Sequence, residues 1–207
     1  MVVEYCSNSQ IMGQMLLIGT TNPGKQVEIA AILEPLHVPL VTPSEIGLEI
    51  QIEETGETYA ENARLKAGRY AQASGLWAIS DDTGLEVELL DGAPGPRSAR
   101  FAPTAADRRE KLVGQLVGYP RPWKALFRAV VAIADPHSLV GEAEGKCHGE
   151  ILPEPRGTGG FGYDPIFWIP TLGKTMAELD MLEKNAVSHR AQAIHAILPA
   201  LRMAIEL

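Results

Sequence analysis

The sequence predicts a mixed α/β fold of α+β character, and three observations carry that expectation. Short aliphatic runs alternate with stretches of helical period, the pattern of a sheet covered by helices. Two long strand-like segments, 124–134 and 139–151, are joined by the turn Asp135-Pro136-His137-Ser138, a connection suited to antiparallel strands and too short for a parallel crossover. The chain has 207 residues, 45% hydrophobic and 21% charged, which is ordinary for a globular protein. One domain usually runs ~100–200 residues, so residues 15–207 are expected to form one domain, with 1–14 as a loose polar extension.

The elements follow in order. Met15–Gly19 reads as a short buried strand, and Asn22-Pro23-Gly24 as a turn. A helix runs from about Lys25 to Leu33, with Val27, Ile29, Ala30 and Leu33 on its inner side and Pro35 and Pro39 ending it. Segment 38–52 is extended or irregular. Glu57–Ser74 is a helix on the spacing of Tyr59, Ala63, Ala67 and Tyr70, and Gly75 caps it. Trp77–Ser80 and Leu85–Leu90 read as two strands divided by a turn at Asp81-Asp82-Thr83-Gly84, and Asp91–Pro96 as a loop. Ala105–Val117 is amphipathic, with Leu112, Val113, Leu116 and Val117 inward. After the two long strands comes a glycine-rich loop, 153–163, then a short strand at Pro165–Ile169 and a short helix at Met176–Leu182. A closing helix, Ala186–Glu206, is interrupted or bent near Pro199.

The net charge of −8 disfavours binding to polymeric nucleic acid, whose phosphates call for a basic face. No run approaches the ~20 apolar residues that span a bilayer, so no membrane partner is expected. Cys6 and Cys147 lie far apart and form no Cys-x-x-Cys pair, which argues against a disulfide scaffold or thiolate zinc site and fits a reducing cytoplasm. Segment 1–14 lacks the basic and apolar regions of a secretory leader.

Four segments carry candidate chemistry. Gly19-Thr20-Thr21-Asn22-Pro23-Gly24-Lys25-Gln26 stands between strand and helix and nearly matches the phosphate-loop pattern, but Gln26 replaces the metal-binding hydroxyl. It is either a phosphate site or an ordinary βα turn. Glu53-Glu54 and Asp81-Asp82 are acidic pairs of the hard-oxygen type that suits Mg²⁺, the alternative being solvated surface charge. Adjacent carboxylates at the end of a strand repel unless a cation joins them, which makes Asp81-Asp82 the more telling pair. In Gly159-Gly160-Phe161-Gly162-Tyr163-Asp164-Pro165 an aromatic ring on a glycine-rich loop can stack on a base, and Asp164 can accept from a purine edge; equally, Phe161 can plug the core. In Lys184-Asn185-Ala186-Val187-Ser188-His189-Arg190, cations stand near a helix start, where the dipole disfavours them unless an anion or oxo group lies nearby. Ser188 is either a cap or inward-facing. A solvated helix surface is the alternative for the whole segment.

Taken together these residues resemble the non-canonical purine NTP pyrophosphatases, also known as inosine triphosphate pyrophosphatases or XTP/dITP diphosphatases. The similarity rests on Thr20–Lys25, Glu53-Glu54-Thr55-Gly56, Glu61-Asn62-Ala63-Arg64-Leu65-Lys66-Ala67, Ser80–Leu85, Gly92–Arg100, Gly157–Phe167 and Glu183-Lys184 through Ser188-His189-Arg190, in the family's order from Met15 onward. The resemblance implies an elongated two-lobed α/β fold with a central cleft, commonly homodimeric. It implies hydrolysis of ITP, dITP and XTP to monophosphate and pyrophosphate, clearing deaminated purines from the nucleotide pool. By the same resemblance Thr20, Thr21, Asn22, Pro23, Gly24, Lys25 and Lys66 would bind the triphosphate. Glu53 and Asp82 would hold Mg²⁺, with Asp82 as general base and Thr83 beside the substrate. Phe161, Gly162, Tyr163 and Asp164 would bracket the base, and Lys184, His189 and Arg190 would contact it. Arg97, after Pro96, stands where the family usually carries an aromatic residue, and Pro103 where glycine is common.

Two alternatives are a Maf-like pyrophosphatase for other modified nucleotides and a nucleotide-binding protein without turnover. The Phe161 loop and Ser188-His189-Arg190 argue against the first, and the intact set Glu53, Lys66, Asp82 and Lys184 against the second.

Overall fold

The computed structural model of the chain describes residues 15–204; segment 1–14, expected to be a loose extension, and residues 205–207, which take in the last part of the expected closing helix, lie outside the described residues. The strands are β1 (Leu16–Ile18), β2 (Leu40–Val41), β3 (Trp77–Val87), β4 (Pro94–Gly95), β5 (Trp123–Ala134), β6 (Leu139–Ile151), β7 (Phe167–Ile169) and β8 (Lys174–Thr175). The helices are α1 (Pro23–Leu33), α2 (Tyr59–Ser74), α3 (Ala105–Leu116), α4 (Met181–Val187) and α5 (His189–Ala204). The eight strands form one mixed sheet in the order β2-β1-β3-β5-β6-β7-β8, with β4 paired to β3. Among the described residues only β1 makes parallel pairs, with β2 and β3; the other pairings are antiparallel. This is the α/β sheet of α+β character that the sequence predicts.

The alternation of strand side chains divides the core. On one face, Ile79, Val131 and Ile133 pack with Ile29, Ile32 and Leu33 of α1 and Ile194 and Ile197 of α5. On the other, Ala78, Val130, Ala132 and Ala134 pack with Tyr59, Ala63, Ala67 and Tyr70 of α2. Toward the far end of β3, Leu85 and Val87 join Phe127, Phe167, Ile151 and the α3 residues Leu112 and Leu116 in a third cluster. Each fully buried Leu or Phe here contributes ~1.5–3 kcal/mol. The first two clusters cover the two faces of one end of the sheet and the third lies toward its other end, with β3, β5 and β6 contributing to both ends.

The sequence-predicted break at Asp81–Gly84 does not form. β3 is continuous through it, because ten residues pair in unbroken register with β5 from Ala78↔Ala134 to Val87↔Ala125. Ladder hydrogen bonds outweigh the local turn preference of Asp-Asp-Thr-Gly. β3 bends into a short 3₁₀ turn at Glu88–Leu90 where strand was expected.

The inner side of α1 also differs. Val27 is exposed, whereas Glu28 is buried with Ile29, Ile32 and Leu33. Val117 is likewise exposed, lying past the end of α3. The predicted Met176–Leu182 helix is a 3₁₀ turn, Met176–Glu178, followed by α4. Ser188 then interrupts the chain in extended backbone and caps α5, its Oγ accepting from Ala191 N at 3.2 Å. The interruption lies at Ser188, while α5 runs on through Pro199.

Candidate functional site

The strand lengths themselves open a gap. β1 pairs with β3 only as far as Ile18↔Ile79, and β4 begins to pair only at Leu85↔Gly95. Between those points the edge of β3, Ser80 to Gly84, carries no neighbouring strand among the described residues. The chain leaving β1 turns there: Gly19 N donates to Ile79 O at 2.8 Å, and Ser80 Oγ donates to Gly19 O at 2.8 Å. Gly19 has no room for a side chain, since a Cβ would lie 2.3 Å from Ser80 Oγ.

The segment then enters α1. Asn22 caps the helix, its Oδ1 accepting from Lys25 N at 3.1 Å, and Pro23 takes the first helical position. Gly24 is covered by Phe161; a Cβ would stand 2.4 Å from the ring. The glycine-rich loop therefore rests directly on the start of α1, two segments that are far apart in sequence. Asp164 Oδ2 accepts from Phe161 N at 2.9 Å, and Arg109 of α3 donates to Gly162 O at 2.7 Å, fixing the loop from both sides. Tyr163 is buried, its hydroxyl donating to Ser98 O at 3.0 Å.

The sequence reads Asp81-Asp82 as adjacent carboxylates that repel unless a cation joins them. The pleat instead turns them to opposite faces of β3, and each has its own partners. Asp81 faces α1 and α5: Lys25 Nζ lies 3.1 Å from its Oδ1, and Arg190 Nη2 and Nε donate to its Oδ2 at 3.0 and 3.1 Å. Thr83 Oγ1 donates to the same oxygen at 2.6 Å. Burial alone would raise the Asp81 pKa, but Arg190 and Lys25 hold it well below the ordinary carboxylate range. Asp82 faces α2: Asn62 Nδ2 donates to its Oδ2 at 3.2 Å, and Lys66 Nζ lies 3.4 Å from its Oδ1. Burial raises its pKa, and Lys66 and Lys25 offset that only in part.

Lys66 also pairs with Glu54 Oε1 at 2.6 Å, and Glu54 Oε2 accepts from Arg100 at 2.7 Å. Burial works against the Lys66 charge, yet Asp82, Asp81 and Glu54 together raise its pKa. Lys25 is lowered instead, because burial outweighs its one close carboxylate. Of the acidic pair at 53–54, Glu54 joins the cluster around Asp82; Glu53 is exposed and lines the adjoining cavity.

The side of the cleft beneath the glycine-rich loop is closed by a buried chain of charges. Lys184 Nζ lies 2.6 Å from both Asp164 Oδ2 and Glu28 Oε1, and Glu28 Oε2 accepts from Arg190 Nη1. Burial raises the Asp164 pKa, and Asp164 and Glu28 raise that of Lys184 against its own burial. Lys184 lies in the last turn of α4 rather than at a helix start, where the dipole favours it. Lys184 and Arg190 stand 5.3 and 5.7 Å from the centre of the Phe161 ring. His189 is buried, stacks on Phe127 at 4.7 Å, and neither ring nitrogen has a hydrogen-bond partner among the described residues. Burial and the Arg190 charge hold it neutral, well below the ordinary histidine pKa.

These residues line a cleft of two joined cavities. One, of about 280 Å³, takes in Phe161, Tyr163, Lys184, His189 and Arg190. The other, of about 540 Å³, takes in Thr20, Thr21, Glu53 and Lys66. Asn22, Lys25 and Glu54 border both. The site is thus polar and cationic at one end and aromatic at the other.

Residues 16–200 match the family model described as the Ham1 family. The chain belongs to that family. It is 47% identical over 184 residues to a dITP/XTP pyrophosphatase of Synechocystis sp., covering 88% of this chain and 93% of that protein. Among solved structures, the Ham1 protein of Coxiella burnetii aligns with a TM-score of 0.80 at 38% identity, covering 93% of this chain and 100% of that one. The Staphylococcus aureus Ham1 protein aligns with a TM-score of 0.79 at 36% identity, covering 92% and 99%.

Sequence reasoning passed over Glu28 and Asn62 as site residues, and within the acidic pair at 53–54 it assigned the metal to Glu53, whereas Glu54 is the one that joins the cluster around Asp82. Glu28 had a usable signal, since it stands four residues before Ile32 and so shares the buried side of α1. Asn62 stands one helical turn before Lys66 beside the apolar stripe of α2.

Proposed function

We propose that this Ham1-family chain hydrolyses non-canonical purine nucleoside triphosphates (ITP, dITP and XTP) to monophosphate and pyrophosphate. The observation that carries this reading is the single cleft in which Lys25 and Lys66 stand at one end and Phe161, Lys184, His189 and Arg190 at the other. An anionic chain on an aromatic base fits both ends. The curated relatives named dITP/XTP pyrophosphatase support the choice of substrate.

Base choice follows from donors. Arg190 carries five N–H groups in principle, and four meet Asp81 (two), Thr83 and Glu28. Lys184 spends two of its three on Asp164 and Glu28. One donor on each is left for the cleft. Hypoxanthine and xanthine offer a 6-oxo acceptor there; adenine would present a 6-amino donor against buried donors, a mismatch worth up to ~10⁴-fold in a site built for the oxo form. The neutral His189 brings one donor and one acceptor to the same cavity.

Phosphate binding falls to Lys25, Lys66 and the polar segment Thr20–Gly24. Lys66 must exchange Glu54 for phosphate oxygens, which frees a carboxylate next to Asp82. Glu54 and Asp82 fit a divalent cation: both are oxygen donors, and the Lys66 ammonium already lies within reach of each. With Glu53 at the cleft rim, they would hold Mg²⁺, which when bound neutralises phosphate charge and orients the attacking water. Asp82 takes the proton from water as general base. Lys25 and Lys66 offset charge on the departing pyrophosphate. A homodimer working in the cytoplasm completes the reading, on the resemblance and the unpaired cysteine pattern.

³¹P NMR of reactions with Mg²⁺ and ITP, XTP, GTP or ATP tests it. Monophosphate and pyrophosphate from ITP and XTP, with little product from ATP, is the expected result. Orthophosphate plus a diphosphate would move cleavage to the terminal bond and overturn the mechanism.

A further inference from the structure

We infer that Asn62 is a positioning residue that sets Asp82 and the acidic loop 53–56 against one another; the inference rests on the reading above. Asn62 is only 3% exposed, on the turn of α2 that faces β3. Its side chain is fully used. Oδ1 accepts from Gly56 N at 2.8 Å, while Nδ2 donates to Gly56 O at 3.3 Å and to Asp82 Oδ2 at 3.2 Å. Those partners fix which way the amide faces: Asp82 accepts only, and Gly56 N donates only. No other side chain of this size supplies both ends. Aspartate would keep the bond to Gly56 N but set a second carboxylate against Asp82, and alanine would release both.

The backbone is shaped to the same contact. At Gly56 a Cβ would stand 2.6 Å from Glu61 Cβ and 2.8 Å from Asn62 Oδ1, so the loop reaches the amide only as glycine. The loop is held at its base by the capping box at the head of α2, in which Glu61 Oε2 accepts from Glu57 N at 2.7 Å and Thr58 N at 3.0 Å. Glu54 lies two residues before Gly56. One turn further along α2, Lys66 joins Glu54 to Asp82 by charge. Lys66 must turn to phosphate when substrate binds. Asn62 has no such second task, so its neutral bridge keeps the carboxylates in register while the charged one opens.

The test uses the full-length chain with Asn62→Ala and, independently, Gly56→Ala, which breaks the same contact from the other side. Removing a residue that holds a ligand from behind weakens metal affinity or activity by roughly 10–100-fold. We therefore expect the Mg²⁺ concentration for half-maximal ITP hydrolysis to rise about 10-fold in each variant, with kcat falling and KM for ITP within about threefold. Mn²⁺ binding to the nucleotide-free proteins, followed by electron paramagnetic resonance, should weaken in parallel, and the double variant should be no worse than either single one. A purely structural role would lower the folded fraction, and with it kcat, without shifting the metal dependence. An unchanged half-activating concentration in a folded Asn62→Ala variant overturns the inference while leaving the hydrolase reading intact. Should the native chain hydrolyse none of the purine triphosphates, the reading fails by itself. The inference is then judged on Mn²⁺ alone and is overturned if the native chain binds none, or if the variants bind it equally well.

Discussion

The two faces of β3 solve the same problem in opposite ways. On the α1–α5 face, Asp81, Arg190, Glu28, Lys184 and Asp164 form a closed chain in which each charge is buried beside its opposite. On the α2 face, Asp82, Lys66, Glu54 and Arg100 form an open chain that ends at a half-exposed arginine. The pKa values of neighbouring aspartates move apart accordingly, down for Asp81 and up for Asp82. Environments that separate two carboxylates in this way assign them different tasks. Asp81 holds architecture, and Asp82 is left under-compensated, in a state that a proton or a cation can relieve.

The sharpest way to break this contrast is to neutralise each aspartate in turn. Asp82→Asn should lower ITP turnover ~10²–10⁴-fold, the span of a general base. Because burial disfavours the Asp82 charge, the same change should leave the urea midpoint level or higher. Asp81→Asn should do the reverse to stability. It leaves the buried Arg190 and Lys25 without their shared carboxylate, at a cost of ~3–5 kcal/mol in urea unfolding. Equal stability losses in the two variants would erase the distinction between the faces.

Much of this was legible in the sequence, and the misses share a cause. Helix α2, the β5–β6 pair and the glycine-rich loop each advertise themselves within a dozen residues. The Asp81-Asp82 turn was misread because its strand character comes from β5, some fifty residues away, and not from its own composition. Glu28 was passed over for a related reason: a carboxylate on a buried helix face makes sense only once Lys184 and Arg190 are seen across from it. Residues that line the cleft could be found by motif. Those that support them from behind are defined by contacts distant in sequence.

A second test asks how far the closed face depends on neutrality at His189. The ring is buried, its nitrogens have no hydrogen-bond partner among the described residues, and burial and the Arg190 charge hold its pKa well below the ordinary histidine range. A histidine depressed in the folded state gives its full stabilisation above the unfolded pKa and loses it as pH falls. The loss should therefore begin near pH 6.5 and grow as the pH falls further. His189→Phe keeps the stack on Phe127 and removes the titration. Urea unfolding of the variant should lack the native slope between pH 6.5 and 5. An unaltered slope would place the acid sensitivity elsewhere, for example in the carboxylates of the closed chain.

The smallest effect belongs to the outer end of the open face. The Arg100 side chain is 58% exposed, and its pair with Glu54 faces water. Such pairs contribute ~0.2–1 kcal/mol and weaken in salt. Arg100→Ala should therefore cost at most about a third of the unfolding free energy that Asp81→Asn does, least at high salt and more at low salt. Its value lies in that salt dependence, because the closed chain around Asp81 is shielded from counterions and should show none. A salt-insensitive loss of several kcal/mol at Arg100 would mean that the Glu54–Lys66–Asp82 chain is also sealed. Asp82 would then be a structural partner like Asp81, and the proton acceptor would have to be sought elsewhere in the cleft.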